Sequence, residues 1–418
     1  MLTGSRTVAS LATLLLGMFL ASCVPPAAGQ PSPTPMPSLP TDTRPPTAGP
    51  VADTATSVPP TGTPPPAEET AVVATWASSP ADLSVIGPDN ASDLQVLARL
   101  EGSLAFSPDL ATFALKKKAG IALVEAQTLA EIALLPCEDS DRCDVFAFSP
   151  HGETLAWNPQ AGVVRVWDVA ARTMRAELGD LPETCCRELS YSPDGRLLAI
   201  STWPPVSLWD AATARELFSL DNAWQVFFAP DGKTLAFSLL NATAVVLWDI
   251  DSNQEIRTLT GFERASPVAP GYGALFSPDW RNLLWVSARV GAQLMDVGTG
   301  RFGPEFEVSD AEFSPDGRVL AATEHGWVET PCTAGVCLFS VPGGGLLSTL
   351  EHDDSVYAMD FSPDGRLLAT YDGNVHLWDV ALGRRLITLE GWYLDFSPDG
   401  RLLAVNDGDP GTSLWGVP

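Results

Sequence analysis

The sequence predicts an all-β fold, an eight-bladed β-propeller of four-stranded blades whose ring is closed by the N-terminal strand. The main observation is a turn phrase, Ser-Pro-Asp-Gly or a close variant, that recurs eight times at intervals of 35 to 48 residues. Repeats of this period built from short apolar strands are typical of propellers. A Trp-Asp pair follows several of the turns at a similar distance. The prolines of the phrase are Pro108, Pro150, Pro193, Pro230, Pro278, Pro315, Pro363 and Pro398.

Each repeat is predicted to contain four strands, as the seventh illustrates. Residues 355–361 alternate in polarity and form the inner strand, and residues 366–370, 374–379 and 386–389 form the next three. The 362–365 turn joins the first two strands. Its proline sets φ at the second position, its aspartate bonds nearby backbone, and its glycine takes a positive φ. The turn phrase is therefore a structural signal.

Two repeats depart from the turn phrase. Leu110 and Trp280 stand where the other repeats have glycine. Because residues with a Cβ atom rarely adopt a positive φ, we expect these two turns to differ in geometry from the others.

The Trp-Asp pairs also have a structural explanation. Tryptophan supplies a large apolar plate between blades, and an aspartate at the end of a strand accepts hydrogen bonds from the turn that follows. The clearest pairs are Trp167-Asp168, Trp209-Asp210, Trp248-Asp249 and Trp378-Asp379.

The combination of turn phrase and Trp-Asp pair resembles the bacterial WD-repeat family of β-propellers over residues 93–418. One departure is the loss of the Gly-His pair before the inner strand, of which Leu350-Glu351-His352 is a remnant. We therefore expect that the Asp-His-Ser-Trp hydrogen-bond network of this family is not formed, and that the blades depend more on packing.

The last blade is predicted to be completed by the N-terminal strand. The eighth repeat ends at Pro418, directly after its third strand, and residues 90–101 resemble fourth-strand segments such as residues 382–390. Pairing of these segments would close the ring and remove exposed sheet edges.

Residues 1–22 are predicted to form a lipoprotein signal peptide. Arg6 precedes an apolar stretch that is too short to span a bilayer, and Leu20-Ala21-Ser22-Cys23 resembles the lipobox of bacterial lipoproteins. The resemblance implies cleavage before Cys23 and lipidation of its sulfur, for which palmitate is the expected acyl group. An ordinary signal peptide or an uncleaved anchor are the alternatives.

Residues 23–75 are predicted to form a disordered tether, because they are rich in Pro and Thr and poor in apolar side chains. Residues 76–92 are a lead-in segment, and the propeller occupies residues 93–418. These features predict a location at the extracytoplasmic face of a bacterial cell envelope.

The formal net charge is −27, from 24 Lys and Arg against 51 Asp and Glu. A strongly acidic surface repels phosphate backbones, so we expect no nucleic-acid partner. It also repels anionic lipid headgroups, so the lipid alone is expected to contact the membrane. The protein is expected to be a monomer.

Six cysteines follow Cys23, and an even count in an exported domain predicts disulfides. We favour the Cys332–Cys337 pair, which closes a small loop in the sixth repeat. The others pair locally or between neighbouring blades. No Cys-x-x-Cys spacing with matching histidines occurs, so no metal site is expected. All six are predicted to lie in connections between strands: Cys137, Cys143, Cys185, Cys186, Cys332 and Cys337.

The adjacent Cys185 and Cys186 also resemble the vicinal disulfide of quinoprotein alcohol dehydrogenases, which stacks on the cofactor. An enzyme or cofactor-binding propeller of that type is the alternative function, although the repeats resemble WD-repeats and no Cys-x-x-Cys-His haem motif is present. No cofactor is expected. The acidic clusters at residues 138–141 and 407–409 are interpreted as solvated turns in preference to calcium sites.

Function is expected in the connections, which the blades present. The longest connections, 261–273 and 324–336, are predicted to share the face where the inner strands begin. Aromatic and arginine side chains anchor protein interfaces. The candidate binding residues are Phe262, Glu263, Arg264, Tyr272, Trp327, Trp224, Trp392 and Tyr393.

The expected function is a lipid-anchored, non-catalytic scaffold for an unidentified protein partner. An envelope-assembly factor is a second alternative, since a lipoprotein of the outer-membrane assembly machinery is also an eight-bladed propeller.

Overall fold

The structure is a computed structural model. It describes residues 76–418 except for 79, 139–144, 180, 182–185, 203–204, 240–243, 263–272, 288–290, 309, 324–331, 333–334 and 409–410. The predicted signal peptide of residues 1–22, the predicted lipidation site Cys23 and the predicted tether of residues 23–75 lie outside the described residues. None of the helical segments that the structure describes is long and apolar enough to cross a membrane.

The described strands form eight four-stranded antiparallel sheets, which confirms the predicted eight-bladed propeller. Each blade runs from an innermost to an outermost strand. Blades one to four contain β2 Ser103–Phe106, β3 Thr112–Lys117, β4 Gly120–Glu125, β5 Glu131–Pro136; β6 Phe146–Phe148, β7 Thr154–Gln160, β8 Val163–Asp168, β9 Thr173–Leu178; β10 Glu188–Tyr191, β11 Leu197–Ser201, β12 Val206–Asp210, β13 Arg215–Leu220; and β14 Ala223–Phe228, β15 Thr234–Leu239, β16 Ala244–Asp249, β17 Gln254–Thr260.

Blades five to eight follow the same order, and only the eighth takes a strand from the other end of the chain. They contain β18 Ala274–Phe276, β19 Asn282–Ser287, β20 Gly291–Asp296, β21 Arg301–Phe306; β22 Asp310–Phe313, β23 Val319–Thr323, β24 Gly335–Ser340, β25 Leu346–Glu351; β26 Ala358–Phe361, β27 Leu367–Tyr371, β28 Val375–Asp379, β29 Arg384–Leu389; and β30 Tyr393–Phe396, β31 Leu402–Gly408, β32 Gly411–Gly416, β1 Gln95–Glu101. Short 3-10 turns lie at Pro80–Asp82 and Ala91–Asp93.

The N-terminal strand closes the ring as predicted. β1 pairs antiparallel with β32, from Gln95 opposite Gly416 to Glu101 opposite Gly411. The Thr412 hydroxyl also donates to the Gly102 carbonyl at 2.7 Å, at the junction with blade one. This pairing gives the last blade its fourth strand and satisfies a sheet edge that would otherwise be open.

The turn phrase folds through a buried serine. In blade seven the Ser362 hydroxyl donates to Asp364 Oδ1 at 2.7 Å and accepts the Leu367 amide at 2.9 Å. The following strand is buried on both faces, because Leu367, Leu368 and Ala369 have no exposed surface. The same serine contacts recur in blades one, three, five, six and eight.

The expectation that two turns differ in geometry is wrong. Leu110 and Trp280 adopt φ values of 57° and 58°, close to the 70° of Gly365. Their amides bond the turn serines Ser107 and Ser277 at 2.9 and 2.8 Å, as the glycine amides do. The serine and aspartate contacts hold the turn in one shape, so the backbone of Leu110 and of Trp280 adopts the left-handed conformation. Trp280 also stacks on Phe276 at 4.3 Å between ring centroids.

The aspartates of the Trp-Asp pairs accept hydrogen bonds from the following turn, as predicted. Asp249 Oδ1 accepts the Ser252 amide at 2.6 Å, and Asp168 and Asp379 make equivalent bonds. The tryptophan indoles differ from blade to blade. Nε1 of Trp167 and of Trp415 is buried and has no hydrogen-bond partner among the described residues.

Blade seven forms a histidine network that the sequence was expected to lack. His352 Nε2 lies 2.8 Å from Thr370 Oγ1, and Trp378 Nε1 donates to the same oxygen at 2.9 Å. Nearby, His376 Nε2 lies 2.9 Å from Asp372 Oδ1. The histidine, hydroxyl and tryptophan part of the family network is therefore formed in this blade, with Thr370 in place of serine, and the expectation is wrong in that respect. The aspartate part differs, because Asp372 bonds His376 and the described bonds of His352 go to Leu350 and Thr370.

Blade seven supplies both residues that this network needs, His352 and Thr370. The equivalent strand position is apolar in the seven other blades, so it offers no hydroxyl to a tryptophan or histidine. The residues are Leu115, Trp157, Ile200, Phe237, Trp285, Ala322 and Val405.

Cys332 and Cys337 form the favoured disulfide, with Cα atoms 5.3 Å apart. Cys337 lies within β24, so the prediction that every cysteine lies in a connection is wrong for this residue. The bond ties the end of the insertion in blade six to its third strand.

The lead-in segment crosses the face that carries the turn phrases, which we call the bottom face. The Ile86 amide bonds the carbonyl of the turn residue Gly400, and the Ile86 side chain is buried in the core of blades seven and eight. Ser84 pairs with Val417. Trp76 Nε1 donates to Ala126 O at 2.8 Å, in the turn after the third strand of blade one. The first described residues are therefore fixed to the bottom face.

Candidate functional site

The candidate site is the mouth of the central channel on the face where the inner strands begin, which we call the top face. Each inner strand follows the connection from the preceding blade and runs toward the bottom-face turns. The innermost strand of every blade borders the channel, so its polar side chains decide what the channel accepts.

The channel is lined with carboxylates. The eight innermost strands contain five acidic residues and no Lys or Arg. The acids are Glu188 on β10, Asp310 and Glu312 on β22, Asp360 on β26 and Asp395 on β30. In their ionised forms, a row of such groups in a narrow channel creates a negative potential that attracts cations.

Several of these carboxyl groups are held in an environment that favours the neutral form. Burial raises the pKa of Glu188 to about 7, although the Arg187 charge lowers it, and burial raises the pKa of Asp310 to about 6. Burial and then the charge of Asp360 raise the pKa of Asp395 well above its usual value. Loss of hydration disfavours a charged carboxylate that lacks a nearby cation.

Two of the carboxylates bond the neighbouring blade. Glu312 Oε1 accepts the Phe361 amide at 3.4 Å, and Asp360 Oδ2 accepts the Phe396 amide at 2.9 Å. Each acid therefore accepts a hydrogen bond from a backbone amide at the channel edge of the innermost strand in the next blade. The Asp395 carboxylate, 8% exposed, has no such bond from the residues that the structure describes.

Two exposed aromatic side chains stand at the top-face ends of adjacent inner strands. Tyr357 directly precedes β26 and is 54% exposed, and Trp392 directly precedes β30 and is 45% exposed. Trp392 is one of the candidate binding residues, and its position at the start of β30 leaves its side chain exposed.

The structure contradicts the prediction that Phe262 is exposed. Its side chain is 3% exposed, stacked on Trp285 at 4.4 Å and edge-on to Phe302 at 5.9 Å. It closes the core between blades four and five, so the prediction of an exposed binding residue is wrong. The prediction failed because Phe262 begins a long connection in the sequence but packs into the core in the fold.

The remaining candidates are tested only in part. The backbones of Trp224 and Tyr393 lie in the inner strands β14 and β30, as expected. The candidates that lie outside the described residues are Glu263, Arg264, Tyr272 and Trp327.

The cysteines of blades two and three do not support the vicinal disulfide. Cys186 is a free thiol whose pKa burial raises to about 12. A thiol with such a pKa is a poor nucleophile at neutral pH. Cys137 is disulfide-bonded, and Cys143 and Cys185 lie outside the described residues.

Two described acids belong to the clusters that were considered as calcium sites, and both contact arginine side chains. Glu138 Oε1 accepts Arg165 Nη1 at 2.8 Å, and Asp407 Oδ2 lies 3.4 Å from Arg99 Nη2. In the part of the chain that the structure describes, no three His, Cys, Asp or Glu residues are arranged to hold a metal ion.

Sequence reasoning missed the channel acids and Tyr357. A signal was present, since Glu312, Asp360 and Asp395 each directly precede the phenylalanine that ends the inner strand in three successive repeats. Alignment of the repeats on their turns, followed by a search for charge at one strand position, would have found them.

Part of the chain is similar to a WD-repeat family, and a longer part to two curated proteins. The WD domain, G-beta repeat family matches residues 344–379, which include the first three strands of blade seven with its histidine network. Periodic tryptophan protein 2 of Arabidopsis thaliana is 26% identical over 266 residues, which are 58% of this chain and 27% of that protein. Cell division cycle 20.1, cofactor of APC complex, of the same organism is 25% identical over 262 residues, 58% of this chain and 55% of that protein. This chain thus spans less than two thirds of either relative.

One solved structure supports the fold. A eukaryotic initiation factor structure superposes with a TM-score of 0.57 at 16% identity, covering 82% of this chain and 93% of that chain. A hydrazine synthase chain of Kuenenia stuttgartiensis has a TM-score of 0.46 at 18% identity, covering 65% of this chain and 95% of its own. The second similarity is too low to bear on function.

Proposed function

We propose that this chain is a WD-repeat lipoprotein, anchored to a bacterial membrane through Cys23, whose top face binds a protein partner without catalysing a reaction. The observation that carries the binding role is the pair of exposed aromatic residues, Tyr357 and Trp392, on adjacent strands of a closed ring. Aromatic side chains held by a rigid scaffold supply interface area at low cost in conformational entropy.

Two further observations support this function. The matching family and both relatives belong to WD-repeat proteins, one of which is named as the cofactor of a complex. The quinoprotein alternative needs a vicinal disulfide, and Cys186 is a free thiol. The lipid anchor and extracytoplasmic location rest on the lipobox-like residues 20–23 and the Pro-rich composition that follows.

Site-specific photo-crosslinking on intact cells tests the binding face. A photoreactive phenylalanine is placed at Trp392 or Tyr357 of the full chain, and at Leu382 as the matched control. Leu382 is 69% exposed in a turn on the bottom face. We expect the same protein adduct from both top-face positions and none from Leu382. An adduct from Leu382 alone would reject the top face.

Metabolic labelling with palmitate tests the anchor. We expect label on the wild-type chain and none on Cys23→Ala. Equal labelling of both chains contradicts lipidation at Cys23.

A further inference from the structure

The channel of blades six to eight repeats one arrangement. Glu312, Asp360 and Asp395 occupy the same position of successive inner strands, one residue before Phe313, Phe361 and Phe396. Equal strand positions in neighbouring blades lie at equal depth along the channel, so the three carboxylates form an arc at one level.

The arc ends on a carboxylate that the fold leaves without a hydrogen bond. Glu312 bonds blade seven and Asp360 bonds blade eight through backbone amides. Asp395 is more than nine-tenths buried and accepts no hydrogen bond from the described chain. Its carboxylate shares its surroundings with Asp360, whose charge acts on it. A largely buried carboxyl group that receives no hydrogen bond from the protein needs its donors from channel water or from a ligand.

The aromatic residues at the mouth are in register with two of these acids. Tyr357 lies three residues before Asp360, and Trp392 three residues before Asp395. At the rise of an extended strand, each carboxylate is about 10 Å farther down the channel than its aromatic residue. A cation that enters here meets two aromatic rings and then the acids, and both attract positive charge.

We propose that the top face recognises a partner protein by a Lys or Arg side chain, which enters the channel between Tyr357 and Trp392 and binds the carboxylates of Asp360 and Asp395. This inference rests on the proposed protein-binding function and names the chemistry of the partner. The ammonium group of Lys and the guanidinium group of Arg each have several hydrogen-bond donors. One such group can therefore bind carboxylates of two neighbouring blades. The innermost strands contain no competing Lys or Arg.

Peptide selection on the full chain tests the proposal. Random dodecapeptides are selected against the immobilised wild-type protein, and the best sequence is synthesised with a fluorophore. We expect enrichment of Lys or Arg in the selected peptides. The Glu312→Gln/Asp360→Asn/Asp395→Asn variant should bind the peptide about tenfold or more weakly, because the amides keep the shape and lose the charge. Norleucine in place of the peptide lysine should cost a similar factor.

A matched variant separates the channel from overall charge. Glu153→Gln/Glu216→Gln/Asp221→Asn removes the same three charges from exposed positions outside the channel. It should change the affinity by no more than about twofold. Thermal melting of both variants checks that the propeller is folded.

Three results would overturn the proposal. The first is a selection without Lys or Arg, or without any bound peptide. The second is a peptide whose affinity is the same for the wild type and the channel variant. The third is saturable heat of binding from calcium or magnesium chloride that disappears in the channel variant, which would make the channel a metal site. A crosslinked adduct at Trp392 alongside any of them would leave the protein-binding function intact.

Discussion

Thr370 joins the histidine and tryptophan of blade seven through one hydroxyl group. The Thr370 hydroxyl oxygen accepts a hydrogen bond from the Trp378 indole and lies within hydrogen-bond distance of His352 Nε2. All three side chains are buried. Burial lowers the pKa of His352 despite its bond to the Leu350 carbonyl and the charge of Asp372, so the neutral ring is favoured. A single hydroxyl thus satisfies two buried polar groups at once.

Replacement of Thr370 by valine should therefore destabilise the protein. Thr370→Val keeps the shape of the side chain and leaves the Trp378 and His352 nitrogens buried without their partner, at a cost of about 1–3 kcal/mol. Urea unfolding measures the change in the free energy of unfolding. Thr370→Ser retains the hydroxyl and should recover most of the loss. Equal losses in both variants would show that the methyl group, and not the hydrogen bond, matters.

The environment of some single residues was predicted wrongly from the sequence. Leu110 and Trp280 were expected to alter their turns, but buried serines hold the backbone and the side chains adapt to it. Phe262 looked exposed because it begins a long connection, yet it stacks on Trp285, a residue of the following blade. The position of Phe262 depends on a contact between distant parts of the chain, which local patterns do not contain. The turns at Leu110 and Trp280 are held by contacts within five residues, so the error there was to give the missing glycine more weight than the serine.

Strands and blades were more predictable than residues. The turn phrase marks the end of each innermost strand, and its serine, proline, aspartate and glycine act within a few residues of one another. Counting these turns was therefore enough to predict eight blades and to recognise β1 as the missing fourth strand of the last blade. The channel carboxylates were missed because their role appears only when strands of different blades are placed side by side.

The closing strand should contribute strongly to stability through its buried face. Leu100 of β1 is buried in a cluster with residues of blades one and eight, whereas the neighbouring Arg99 is largely exposed. Leu100→Ala should lower the free energy of unfolding by about 2–5 kcal/mol, because it leaves a cavity where the ring closes. Arg99→Ala, its matched control in the same strand, should change it by no more than about 0.5 kcal/mol. Urea unfolding of both variants checks this, and similar small effects would mean that β1 is dispensable.

The channel acids give the whole molecule a pH-dependent stability. Asp310 and Asp395 have raised pKa values in the folded protein, so folding favours their protonated forms. The stabilisation that protonation provides is complete below about pH 4, where the unfolded chain also protonates, and is lost as the pH rises through the folded values. His352 acts in the opposite direction, because its lowered pKa favours folding at higher pH.

The Asp310→Asn/Asp395→Asn variant isolates this effect, since His352 is common to both proteins. Its Tm should be close to that of the wild type at pH 5 and exceed it by a few degrees at pH 8, where the wild-type carboxylates are charged. Calorimetry across this range measures the difference. A difference that does not depend on pH would contradict the assignment of the acids to a poorly hydrated channel.

The lead-in segment determines how mechanical load reaches the propeller. Before the chain enters β1, it is fixed to the bottom face by Trp76 on blade one and by Ile86 in the core of blades seven and eight. Tension on the N-terminal side of Trp76 is therefore carried first by these contacts and by the bond from the Ala77 amide to the Leu97 carbonyl of β1, before it acts on the pairing of β1 with β32. In the anchored protein that we propose, a partner pulling on the top face would strain the lead-in before it could open the ring.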